Sequence, residues 1–113
     1  METVAYQNGA GDQLRADASG DRPVSAMALP RALDLAFADE LLAGILARAG
    51  DRTLTLDGSD VDYVSTPCVQ ILLAAGRKRN ATNYSFLVRH ASDAFRRAID
   101  EFGLQPEFTK WMF

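Results

Sequence analysis

The sequence is short of the residues that build metal sites, disulfides and covalent catalysis. Its 113 residues include one cysteine, Cys68, and one histidine, His90. One thiol cannot close an internal disulfide or supply a cysteine zinc cage, and one imidazole excludes multi-histidine metal sites. A serine or cysteine nucleophile needs a base that is itself oriented by an acid. His90 has neither a nucleophile elbow nor an evident acid partner, so it reads as a loop residue. Asp57, Asp60 and Asp62 lack the spacing of a calcium loop and read as solvated carboxylates. No metal, no cofactor and no catalytic pair is assigned, and the chain is expected not to be an enzyme.

Also missing is an excess of positive charge. Lys and Arg number 12 against 15 Asp and Glu, a formal net charge of -3, which argues against a nucleic-acid partner. The basic run Arg77-Lys78-Arg79 is accounted for by the C-terminal end of a helix. No apolar run approaches the roughly 20 residues of a membrane span. Residues 1–23 have no basic start followed by an apolar stretch, so no secretory signal is expected and the cytoplasm is the default location. They carry Gly9, Gly11 and Gly20 among Asn8, Asp12, Asp17, Ser19 and Asp21, while Val4, Tyr6 and Leu14 are too scattered for an apolar face. The segment reads as a disordered tail, with Val4 to Gln7 as a short strand at most. Residues 24–113 then form one domain with one small core.

What is present in that domain is a hydrophobic period that switches between strand and helix. Val24 to Leu29 reads as a strand stopped by Pro30. Leu35 to Ala49 reads as an amphipathic helix, with Phe37, Leu41 and Ile45 on one side and Leu42, Leu46 and Ala49 widening the stripe. Asp34 is its N-cap and Gly50 its left-handed stop. Arg52 to Asp57 is a second strand, Gly58 to Asp60 a turn, and Val61 to Val64 a brief extended piece. Thr66 as N-cap and Pro67 at the first helical position open a second helix through Ala75 to the basic run. Ser85 to Val88 is a third strand, and Ser92 caps a last helix carrying Phe95, Ala98, Ile99 and Phe102 that ends at Gly103.

The order predicts an α/β sandwich: a short mixed, mostly parallel sheet covered by amphipathic helices. The expected core is Phe37, Leu41, Ile45, Leu56, Leu72, Leu87, Phe95, Ile99 and Phe102. Cys68 has two readings, a thiol made reactive by the helix start or a small buried side chain. The stretch from Gln105 to Phe113 is an apolar tail with no assigned packing, and a second candidate docking element.

The Ala32-Leu33-Asp34-Leu35 turn into a helix, the strand end Leu54-Thr55-Leu56-Asp57-Gly58-Ser59, the lead Val61 to Val64 and the helix start Ser65-Thr66-Pro67-Cys68-Val69-Gln70 together resemble a STAS domain, the fold of bacterial anti-sigma factor antagonists. The resemblance spans roughly residues 24–104. The Thr66-Pro67-Cys68-Val69-Gln70 form is similar to the small stand-alone STAS proteins of alphaproteobacterial chemotaxis operons, which associate with the chemotaxis histidine kinase.

That resemblance implies a non-enzymatic signalling module with a protein partner, a chemotaxis histidine kinase or an anti-sigma factor kinase. The alternative is an adaptor subunit of a lipid-transport ABC complex, a role in which STAS domains also occur. In the antagonists a kinase phosphorylates a serine at the tip of the second helix. Aligning the family's Gly-Leu on Cys68-Val69 puts Pro67 at that serine, and proline has no hydroxyl. Ser65 and Thr66 are the neighbours able to take a phosphate, near a helix N-terminus that favours one. Thr66 as a plain cap with no regulatory role stands beside that reading. Asp34 and Asp57 match family aspartates, and the implied fold brings them to the same surface as Ser65 and Thr66.

Overall fold

The structure, a computed structural model, describes residues 24–113. The expected disordered tail and the Val4 to Gln7 strand lie outside the described residues. Along the chain come β1 (Val24–Ala28), β2 (Ala32–Leu33), a 3₁₀ turn (Leu35–Phe37), α1 (Ala38–Ala47), β3 (Thr53–Asp57) and β4 (Tyr63–Val64). They are followed by α2 (Thr66–Ala81), β5 (Ser85–Arg89), α3 (Asp93–Glu101) and α4 (Gln105–Phe108).

β1, β3 and β5 pair side by side in that order, and every pairing among the described residues is parallel. Parallel neighbours need a crossover, and crossovers are right-handed. A sheet that grows steadily in one direction therefore carries α1 and α2 on the same face. Strand burial follows: Leu54 and Leu56 of β3 and Phe86 and Val88 of β5 are buried, while Thr53, Thr55 and Leu87 between them are half-buried on the other face. Under the helices these side chains meet Leu41 and Ile45 of α1, Cys68, Val69 and Leu72 of α2, and Phe95 and Ile99 of α3.

The expected core needs three corrections. Leu87 sits on the half-buried face of the sheet, Phe37 is packed against the core from its margin, and Phe102 is 38% exposed just past the last turn of α3. Gly50 is not a left-handed stop; among the described glycines only Gly103, with φ +74°, takes that conformation. α1 instead ends on Arg48, whose N–H is shared between the carbonyls of Ile45 and Leu46. α2 stops through Asn83, at φ 63°, with the Tyr84 N–H donating to the Arg79 carbonyl at 2.8 Å. Asparagine is the residue after glycine that best tolerates this position.

The basic run also divides by role. Arg79 is buried, its guanidinium donating to the carbonyls of Ser85 and Asp51 and lying over the Tyr84 ring, so it ties the end of α2 to the starts of β3 and β5. Arg77 pairs with Glu107 and fastens α4 to α2, which holds Arg77 above and Glu107 below their ordinary pKa values.

The C-terminal tail is part of the core, not a free docking element. Val88 donates to the Trp111 carbonyl at 2.7 Å, and Phe113 donates back to the Val88 carbonyl at 2.9 Å, so the tail continues the sheet beyond β5. Trp111 stands edge-on to Phe86 and Phe108, with centroids 5.3 and 5.1 Å away. Its ring covers Gly76 so closely that a β-carbon there would lie 2.5 Å from it. Trp111→Ala should therefore cost about 3–5 kcal/mol in denaturant unfolding, whereas Phe113→Ala, at a residue 65% exposed, should change stability by less than about 0.5 kcal/mol. Equally small effects would put the tail outside the core.

Candidate functional site

Two residues of parallel pairing assemble the start of α2. β2 and β4 join Leu33 to Val64, and the Ser65 N–H continues the ladder to the Leu33 carbonyl at 2.7 Å. Leu33 and Val64 point into the core, and the residues after them, Asp34 and Ser65, are brought face to face as helix starts. Asp34 accepts from the Phe37 N–H at 3.1 Å, so it caps the 3₁₀ turn that leads into α1. The Cys68 thiol crosses the gap and donates to the Asp34 carbonyl at 3.3 Å.

The N-cap of α2 is Ser65, one residue earlier than the Thr66 cap read from the sequence. Ser65 has the extended backbone of a cap, with φ -88° and ψ 161°, and its hydroxyl accepts from the Cys68 N–H at 3.4 Å. Thr66 is the first helical residue and Pro67 the second. The shift follows from the ladder: pairing to Leu33 holds Ser65 extended, so the helix cannot start before Thr66. Proline supplies no N–H and Ser65 takes that of Cys68, which leaves the Thr66 N–H as the donor of this turn without an acceptor among the described residues. Ser65 is 8% exposed, whereas Thr66 and Pro67 face outward.

Asp57 makes no hydrogen bond to Asp34, Ser65 or Thr66 among the described residues. At the end of β3 it is the register partner of Arg89, and its carboxylate accepts from the Ser59 N–H at 2.9 Å. That bond, with a smaller contribution from nearby His90, holds the carboxyl below its ordinary pKa. Burial pushes the Cys68 thiol pKa up, against the reading of a thiolate activated by the helix start. Asp62 pairs with Arg31 at 2.6 Å, and no group of three or more His, Cys, Asp or Glu among the described residues could hold a metal ion. No helix among the described residues is long and apolar enough to cross a membrane.

Sequence reasoning missed the apolar margin of this surface. Leu35, 72% exposed, follows Asp34, and Tyr63, 56% exposed, lies two residues before Ser65 on the outward side of β4. The signal was available in the alternation of Tyr63 and Val64, because only one of two successive strand residues can face the core.

A family model described as "Mlab, STAS domain" matches residues 14–108. No curated protein matches the sequence. Among solved structures, a sulfate transporter family protein from Wolinella succinogenes is similar, with TM-score 0.64 and 16% identity over 86% of this chain and 84% of that one. The anti-sigma factor antagonist SpoIIAA in its unphosphorylated form is also similar, with TM-score 0.64 and 18% identity over 80% of each chain. The cap assignment makes a test within this domain: Ser65→Ala should cost about 0.5–2 kcal/mol in denaturant unfolding, and Thr66→Ala less than about 0.5 kcal/mol. The reverse order would return the cap to Thr66.

Proposed function

The chain belongs to the STAS-domain family, and from that membership we propose that it is a non-enzymatic signalling module of the cytoplasm that binds a kinase-type protein partner at the start of α2. The observation that supports this most is the makeup of that surface. Exposed Thr66 and Pro67 stand beside two exposed apolar side chains, Leu35 and Tyr63, with the half-buried Asp34 at their margin. Exposed apolar side chains bordered by polar groups are the character of a protein-binding patch. Asp57 belongs to this patch only if the partner also reaches the end of β3. A chemotaxis histidine kinase is the first candidate partner, on the resemblance of the Thr66-Pro67-Cys68-Val69-Gln70 stretch, and an anti-sigma factor kinase is the second.

Of the two hydroxyls beside Pro67, Thr66 is the better phosphoacceptor. Ser65 is buried and already accepts a backbone N–H, so a phosphate there would break the cap. Thr66 is exposed, and its own N–H has no acceptor among the described residues. A phosphate on Thr66 adds up to two negative charges at the positive end of α2 and beside Asp34, which changes what a partner meets without disturbing the core.

Incubation with the kinase and ATP, followed by peptide mapping, should place phosphate on Thr66 and none on Ser65. In calorimetric titration, Thr66→Asp and Tyr63→Ala should each shift affinity for the kinase by about 1–3 kcal/mol, with unfolding midpoints unchanged. Unaltered affinity in both variants, or selective binding to the ATPase of a lipid-transport complex, would overturn the kinase reading.

A further inference from the structure

The apolar stripe of α1 is wider than the core requires. Leu42 and Leu46 remain 43% and 62% exposed, and they form one wall of a surface groove of about 600 Å³ between α1 and α2. Ile71, Ala74 and Ala75 of α2 form the other wall. The volume lies in the range of small-molecule sites.

Polarity along the groove is uneven. Lys78, Thr82 and Tyr84 gather where α2 ends, and Gln70 is the polar residue at the opposite end. α2 contains no carboxylate at all. Arg79 is committed to two carbonyls, while the Lys78 ammonium has no partner among the described residues. A docked helix from another protein would call for polar margins along both walls, and the α1 wall offers only Leu42, Ile45, Leu46 and Ala49. One apolar channel with a cation at one end matches an amphiphile with an anionic head.

We propose that the groove between α1 and α2 binds a monomeric medium-chain carboxylate, its acyl chain between Leu46 and Ala74 and its carboxylate at Lys78. This site lies along the helices, away from the tip of α2, and is independent of the partner proposed there.

The test is calorimetry and ¹H–¹⁵N NMR of the full chain with octanoate and decanoate kept below micelle formation, and with decyltrimethylammonium as the cationic counterpart. Each buried methylene tightens binding by about fourfold at most, so decanoate should bind about tenfold more tightly than octanoate, and the cation more weakly than decanoate, its equal in chain length. Shifts should fall on residues 42–49 and 70–82. Leu46→Glu, at an exposed position, should abolish binding with the circular dichroism spectrum unchanged, and Lys78→Gln should weaken it about two- to fivefold. No decanoate binding, equal affinity for anion and cation, or shifts confined to other surfaces overturns the proposal, as does a response to anionic lipid vesicles without one to the monomer.

Discussion

Right-handed crossovers between β1, β3 and β5 put α1 and α2 on one face of the sheet that these strands form among the described residues. The remaining architecture answers to that constraint. With one face covered, the strands must alternate, and β3 and β5 do so with buried Leu54, Leu56, Phe86 and Val88. The outer edge of β5 would present open hydrogen-bonding groups to other chains. The tail through Trp111 and Phe113 closes it, and the indole fills the space that Gly76 leaves on α2. Glycine inside a helix costs about 1 kcal/mol relative to alanine; at residue 76 it is kept because no other side chain fits beneath that ring.

The start of α2 uses its polar groups on itself. Ser65 caps the helix, Asp34 caps the neighbouring turn, and the Cys68 thiol joins the two. Such mutual satisfaction leaves few of these groups free to reorder, so binding of the proposed partner would cost little ordering entropy. Pro67 adds to this by presetting the backbone and removing a donor. Among the described residues Thr66 is left with a hydroxyl and an N–H that no partner takes up, on a surface that also carries exposed Leu35 and Tyr63.

Much of this was legible in local chemistry. Ser92 caps α3 as its position suggests, Asp34 caps the 3₁₀ turn ahead of α1 and not α1 itself, Gly103 takes the left-handed conformation, and the strand and helix periods locate the elements of the parallel sheet. Errors arose where a residue had two local roles and a distant one decided between them. Thr66 and Ser65 are both good caps; the ladder bond from Ser65 to Leu33 chose Ser65. Gly50 and Asn83 both follow helices, yet only Asn83 turned left-handed. Phe102 fits the helical period of α3, but it falls in the cap beyond the last turn and is 38% exposed there.

Alternating and helical periods and caps determined by themselves the class of fold and its strand-helix order, because each depends on neighbours within a few residues. Only tertiary structure decided that Trp111 belongs to the core, that Arg79 is a buried tie, and that Leu42 and Leu46 are left over beside a groove. Each of these involves a neighbour more than 20 positions away: Gly76 and Phe86 for Trp111, Asp51 for Arg79, and Ile71 to Ala75 across the groove from Leu42 and Leu46. Such pairings leave no periodic trace in either segment, since the free energy of burial is a property of the contact and not of the residue.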